Sequence, residues 1–376
     1  GMSQSGGSQN IVNKGTITLT GDKSTGIYGK RGILLNDSTG KISVGQKSAA
    51  MYLLEDNEAT TTGAKVSNLG DISLGKGSIG IYYSDKDKNG NVFTGSNPNT
   101  VGGAYNLKNI LSSSENVIGM YFNSDNMAAT NNKKYINEAT GLIQLLGEHS
   151  IGMFAEGNGN YLTENKGRII LGNASSLTNA NIGIFSKNEK TLIKNSGSII
   201  GGKNTVGLYG YQITTTNTSK ITVGDSGVGV YSSKGDLDLD GDLEIGAKEA
   251  KGVYLVGNSA QNVAYKFSKF TLGDDSFGLV NKGKNKTITS TTNKVDLNNR
   301  NMFMYSEDNL GSITNYTKLK SKGNGNYGIY SVGAVTNYGD IDFRKGKGNV
   351  GLYSANKNKT VKNAGNIYVG ASQPRE

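Results

Sequence analysis

The stretch GSIGIYYS, residues 77–84, sets a glycine, a branched apolar residue and a tyrosine in a row, and the phrase keeps returning. It reads STGIYG at 24–29, NTVGLYG at 204–210, SGVGVYS at 226–232, GNYGIYS at 325–331 and GNVGLYS at 348–354. Ahead of it stands a shorter alternating phrase closed by glycine: GTITLTG (15–21), GDISLG (70–75), GRIILG (167–172), KITVG (220–224), GDLEIG (241–246) and GNIYVG (365–370). Ahead of that, a third phrase sets asparagine after an apolar residue, as in IVNKG (11–15), KVSNLG (65–70), LIKNSG (192–197), VTNYG (335–339) and VKNAG (361–365). Alternation with a period of two is the mark of a strand, so one unit holds three short strands and three turns.

Tyr28, Tyr52, Tyr82, Tyr121, Tyr209, Tyr231, Tyr254, Tyr305, Tyr330 and Tyr353, with Phe154 and Phe185 in the same slot, mark about thirteen units, most of them near 24 residues long. No segment sustains apolar residues at helical spacing, and the fixed leucines of a leucine-rich repeat are missing. Three strands per unit predict an all-β fold, a right-handed parallel β-helix of about thirteen coils, each strand pairing with its counterpart about 4.8 Å away in the next coil. One coil cannot bury its own apolar face, so coils are stable only when stacked into an elongated body. The expected organisation is a flexible tag remnant over 1–9, a single β-helix over 10–371 and a flexible end at 372–376.

Strict alternation through GSIGIYYS puts Ile79 and Ile81 on one face and Gly80 and Tyr82 on the other. The Ile81 position is apolar in every unit and the Ile79 position in most, which points that face inward. The tyrosines then form an outer ladder, rings lying over bare glycine backbone with hydroxyls in water. The competing arrangement packs the tyrosines inside, with glycine making room. Asn13, Asn68, Asn137, Asn165, Asn195, Asn337 and Asn363 end the first strand of their units and suit a stacked amide ladder. The glycines after them are expected at positive φ.

Unit length breaks at three consecutive places, each after the tyrosine strand: 83–106, 122–134 and 155–161. These segments are polar and rich in turn formers, hence loops, and insertions at one place in successive coils emerge on one side. They make the candidate partner-binding surface, with Phe93, Asn97, Tyr105, Asp125, Lys133 and Tyr161 as its contact residues.

Composition narrows the chemistry. The chain has 376 residues, 55 glycines, 2 prolines, no cysteine, no tryptophan and one histidine. Disulfides, thiolate metal sites and histidine pairs or triads are therefore excluded within it. The net charge of +10 comes mostly from scattered lysines with few arginines, unlike the clustered footprint of a nucleic-acid binder. Asp236, Asp238, Asp240, Asp242 and Glu244 alternate with apolar residues, which reads as a solvated strand face, with a calcium site as the alternative. Asp274–Asp275 is an acidic pair without the accompanying histidine or arginine element expected for glycoside cleavage. His149 fits a turn. The G-x-G-x-x-G matches at 75–80, 323–328 and 346–351 run into strands rather than helices, so they are not phosphate cradles. No catalytic, cofactor-binding or metal residue is expected.

Coils reading N-x-G-x-I-x-[LV]-G followed by [SNT]-x-G-[ILV]-Y-[SG], rich in Asn and Lys, resemble the passenger regions of large fusobacterial autotransporter adhesins over about residues 10–371. The resemblance implies a monomeric, non-enzymatic protein on the bacterial surface. It would be tethered through an outer-membrane barrel that this segment lacks, and would attach to proteins or glycans of host cells or other bacteria. The alternatives are a β-helical polysaccharide-degrading enzyme and a plain stalk. Trimeric autotransporter heads use a shorter period of about 14.

Overall fold

A computed structural model describes residues 1–4, 10–30, 32–55, 64–86, 102–125 and 133–370. The described chain is a right-handed parallel β-helix of about thirteen coils with three sheets per coil. Its helical content among the described residues is one 3-10 turn, Leu177–Asn179.

The chain divides into two compact units, Gly1–Gly201 and Gly202–Glu376. In the first, every coil passes through sheet I, as in Ile79–Ser84, then sheet II, as in Gly103–Asn106, then sheet III, as in Asn109–Ser112. Equivalent strands pair in parallel and in register, so Tyr52 faces Tyr82 and Tyr82 faces Tyr121. The second unit repeats the order, but its third sheet is broken between Lys269–Leu272 and Lys294–Leu297. The core of the first unit is filled by Met51, Ile81, Met120 and Met153 of sheet I against Ile42, Ile72, Ile110, Ile143 and Ile169 of sheet III, all at most 1% exposed. Burying that surface is the main stabilising contribution, available only because each coil covers the next.

The facing of the tyrosine strand differs from strict alternation. Ile81 and Tyr83 are buried and Tyr82 is half-exposed, as period two requires, but Ile79 is half-exposed as well. A Cβ built on Gly80 would lie 2.9 Å from Ile110 Cγ2 and 2.5 Å from the Gly119 carbonyl oxygen. Gly80 therefore faces the interior together with Ile81, and alternation slips by one residue at the glycine. Gly119, Gly152, Gly207, Gly229 and Gly252 repeat the arrangement against Ile143, Ile169, Ile221, Leu243 and Phe270. The glycines make room for the side chains of sheet III, not for tyrosine rings.

The asparagine ladder is longer than the strand phrases indicate. In the first unit, side-chain amides donate in one direction from Asn13 to Asn36, Asn68, Asn106, Asn137, Asn165 and Asn195 at 2.8–2.9 Å. In the second, Asn315 donates to Asn337 and Asn337 to Asn363. Each interior amide accepts from one coil and donates to the next, which satisfies a buried polar group. The glycines after these asparagines are not at positive φ; space is what selects them. A Cβ on Gly40 would sit 2.2 Å from Asn36 Oδ1, and one on Gly70 would sit 2.1 Å from the Gly40 carbonyl oxygen.

Positive φ occurs instead at the turn from sheet III to sheet I, largely in residues with side chains: Lys23, Lys47, Asn116 and His149 in the first unit, and Asn204, Ser226, Asp275 and Arg300 in the second. Each places its N–H on a carbonyl of the following coil, as Lys47 does on Lys76 at 2.8 Å. Just after that turn runs a second polar ladder. Ser48 accepts from the Ser24 N–H and Ser78 from the Ser48 N–H, both at 3.0 Å, while Ser150 accepts from the Val117 N–H and Asn181 from the Ser150 N–H.

Met2–Gln4, expected to be part of a flexible tag, forms a parallel strand against Thr25–Lys30. The open edge of sheet I offers unpaired backbone groups, and a short strand satisfies them.

Candidate functional site

Two features of the first unit stand out from the repeating scaffold: the aromatic row on sheet I and the roots of the insertions.

The row runs on the outer face through Tyr28, Tyr52, Tyr82, Tyr121, Phe154 and Phe185, with centroid separations of 4.5–5.3 Å. In the second unit Tyr209, Tyr231 and Tyr254 form one run and Tyr305, Tyr330 and Tyr353 another. Val280 stands between them, facing Tyr254 and Tyr305. Most rings are half-exposed. Partial burial, reinforced by the neighbouring Tyr82 and Tyr28, pushes the Tyr52 hydroxyl up to about 12. The Tyr52 hydroxyl therefore stays protonated at neutral pH and can both donate and accept.

The insertions begin where sheet I hands over to sheet II, but their bounds are narrower than the sequence indicates. Tyr83, Ser84, Phe122, Asn123, Ala155 and Glu156 belong to strands of sheet I, while Gly103–Asn106 and Lys134–Asn137 are strands of sheet II. Phe93 and Asn97 lie outside the described residues. Tyr105, Lys133 and Tyr161 are buried at 8%, 5% and 5% exposure, so they are anchors and not exposed contact residues. Tyr105 carries the Lys65 ammonium over its ring at 4.7 Å. The Gly102–Gly103 pair disguises this strand as loop. The usable signal is Ala104–Tyr105–Asn106, which repeats the apolar-x-Asn phrase and supplies a rung of the ladder.

The roots converge on a buried charged and aromatic cluster. Lys133 Nζ lies 2.5 Å from Glu55 Oε2 and 3.6 Å from Asp85 Oδ2, and 5.5 Å from the centre of the Tyr83 ring. Asp85 also accepts from Ser124 Oγ at 2.5 Å and from the Asp125 N–H at 3.1 Å. The Tyr83 hydroxyl bonds to Glu55 and the Tyr121 hydroxyl to Glu156. Asp125 is held by Lys86 at 2.6 Å and by the Asn158 N–H at 2.7 Å. Beneath the charges, Tyr135 packs against Phe122, Tyr161 and Tyr83 with centroids 4.1, 4.8 and 5.2 Å away. Burial, opposed by Lys133 and the Ser124 and Asp125 donors, holds the Asp85 carboxyl above its usual range. Burial and the facing carboxylates push the Tyr83 and Tyr135 hydroxyls well up. A buried ion pair contributes little net stability but is costly to break by removing one partner, so this arrangement fixes the geometry of the roots.

The acidic stretches are engaged by neighbouring coils. Asp236 accepts from Asn262, Asp240 pairs with Lys266 at 3.4 Å, and Glu244 with Lys269 at 3.6 Å. Arg300 grips Asp275 with two guanidinium nitrogens, and Asn299 binds Asp274. No group of three or more His, Asp or Glu side chains suited to a metal ion occurs among the described residues. Comparison with protein-family models, curated proteins and solved structures returned no match.

Proposed function

We propose that this chain is a segment of a bacterial cell-surface adhesin, a non-enzymatic autotransporter passenger that displays loops to a protein or glycan on host cells or other bacteria. The observation that supports this reading most is the root cluster. Consecutive coils interrupt an economical repeat at the same corner, and Glu55, Asp85, Lys133 and Asp125 tie the interruptions together with charges that scaffold packing alone does not require. Fixing loops on a rigid scaffold is how binding surfaces are commonly built.

The test replaces residues 88–100 and 127–131 by short Gly-Ser linkers, leaving every anchor in place. Unfolding should be unchanged, and binding of the purified protein to epithelial cells and to bacteria, read by flow cytometry, should fall at least tenfold. Undiminished binding would contradict the role of the insertions. Release of reducing sugar from acidic or neutral glycans would contradict the non-enzymatic reading.

A further inference from the structure

We propose that a groove on the outer face of sheet I, between the turn residues Lys23 and Lys47 and the rings of Tyr52 and Tyr82, binds an acidic sugar. The groove is separate from the insertion corner, so this assignment and the adhesin reading stand or fall independently.

Side-chain size creates the hollow. The outward row just before the glycines is isoleucine at Ile79, Ile118, Ile151 and Ile182, but Thr25 and Ala49 occupy it in the two preceding coils. The adjoining turn row loses its side chain at Gly77. Small residues in neighbouring coils thus leave about 380 Å³ open, lined by Lys23, Thr25, Lys47, Ala49, Tyr52 and Tyr82 among others. That volume falls within the range of about 300–1,000 Å³ typical of small-ligand sites.

The walls differ in chemistry. On one side Tyr52 and Tyr82 meet edge to face, with centroids 4.5 Å apart, offering aromatic carbon and hydroxyl groups. On the other, Lys23 and Lys47 sit at φ 55° and 51°, pinned by N–H bonds to Gln46 and Lys76. Neither ammonium has a carboxylate partner among the described residues, whereas the nearby Lys76 is paired with Glu115. The Ser48 hydroxyl is already engaged by the Ser24 N–H and the Gln46 carbonyl, while the Thr25 hydroxyl and that of Ser24, which donates to the Asp22 carbonyl at 3.3 Å, can still accept from a ligand. Two unpaired cations select an anion. The tyrosine wall favours one carrying an apolar C–H face, and the hydroxyls favour a polyol. A carboxylated sugar combines all three, whereas inorganic phosphate lacks the C–H face and a neutral sugar lacks the charge.

The probe is 3′-sialyllactose, with lactose as its neutral counterpart and polyglutamate as a sugar-free polyanion, titrated calorimetrically into the purified chain. Saturable binding of 3′-sialyllactose is expected, at least tenfold tighter than lactose and not displaced by a charge-equivalent amount of polyglutamate. It should be lost in the Lys23→Met/Lys47→Met double variant and in Ala49→Leu, which fills the groove from the half-exposed outer face. It should persist in Lys220→Met, an exposed lysine of the second unit. Equal binding of both sugars, displacement by polyglutamate, or retained affinity in Ala49→Leu would overturn the assignment. Cell binding by a chain that ignores 3′-sialyllactose would also overturn it while leaving the adhesin reading intact.

Discussion

The side-chain amide of Asn106 donates to the Oδ1 of Asn137 across 2.8 Å, although 31 positions separate the two residues in sequence. Asn137 in turn donates to Asn165 at the same distance, and all three are fully buried. The ladder is thus a chain of hydrogen bonds along the stacking direction, in which every interior rung has two partners.

Removing Asn137 takes its acceptor from one N–H of the buried Asn106 amide, whose nitrogen keeps its bond to the Lys108 carbonyl at 3.1 Å, and leaves the buried Asn165 Oδ1 without its donor; each such loss costs on the order of 1–3 kcal/mol. Asn137→Ala is therefore expected to lower stability by about 2–4 kcal/mol in urea unfolding. Asn137→Asp should cost more at neutral pH, because a carboxylate has no N–H to give Asn165 and its charge is buried. Asn363, exposed at the last rung, should tolerate alanine within about 1 kcal/mol.

The inward glycines make a sharper prediction. Gly119→Ala would place its Cβ 2.7 Å from Ile143 Cγ2 and 2.6 Å from the Gly152 carbonyl oxygen. Overpacking of this kind costs about 1–3 kcal/mol. Trimming Ile143 to alanine should not restore stability, since the backbone oxygen of the next coil remains in the way. A double variant as stable as Ile143→Ala alone would show that the glycine serves some other need.

The root cluster should announce itself in pH dependence. Asp85 has its folded pKa raised above the ordinary 3.8, so its contribution to stability is fully present below 3.8 and is lost as pH rises through the raised value. The stability difference between the wild type and Asp85→Asn should therefore shift in favour of the wild type as pH falls through that window. Lys133→Met leaves Glu55 and Asp85 without their cation, a loss of about 3–5 kcal/mol at neutral pH that should shrink on acidification. Denaturation of the three proteins from about pH 4 to 7 reads both effects.

The period, the three strands and the outward row of tyrosines could be read from the sequence because each depends on residue type repeating at a fixed interval. The orientation of Ile79 and Gly80 could not, because alternation holds only while the strand is regular and the glycine interrupts it. Asn36, Asn106 and Asn315 are not marked by the phrase, for different reasons: Asn106 follows an insertion, and the other two stand in phrases whose following residues vary. The ladder of Ser78, Ser150 and Asn181 is visible as a preference for Ser, Asn or Thr two residues before glycine, whereas Ser48 stands two residues before Ala50. Its meaning required knowing that the neighbour's N–H points at it. Tyr105, Lys133 and Tyr161 read in sequence as aromatic and charged residues near loops, but burial depends on where the chain re-enters the sheet, and nothing local to those residues records that.

The central claim is that residues about two dozen apart are paired, parallel and in register. The chain has no cysteine, so an engineered pair reports cleanly. Ser43 and Ser73 face each other on the exposed side of sheet III, and Lys41 faces Asp71 two residues earlier. Register partners lie about 4.8 Å apart at Cα, within disulfide range, whereas a pair two residues out of register is separated by about 8 Å. Under mild oxidation Ser43→Cys/Ser73→Cys should form its disulfide in the folded protein, and Lys41→Cys/Ser73→Cys should not. Failure of the first pair to close, or equal closure of both, would contradict the coiled arrangement on which every other conclusion rests.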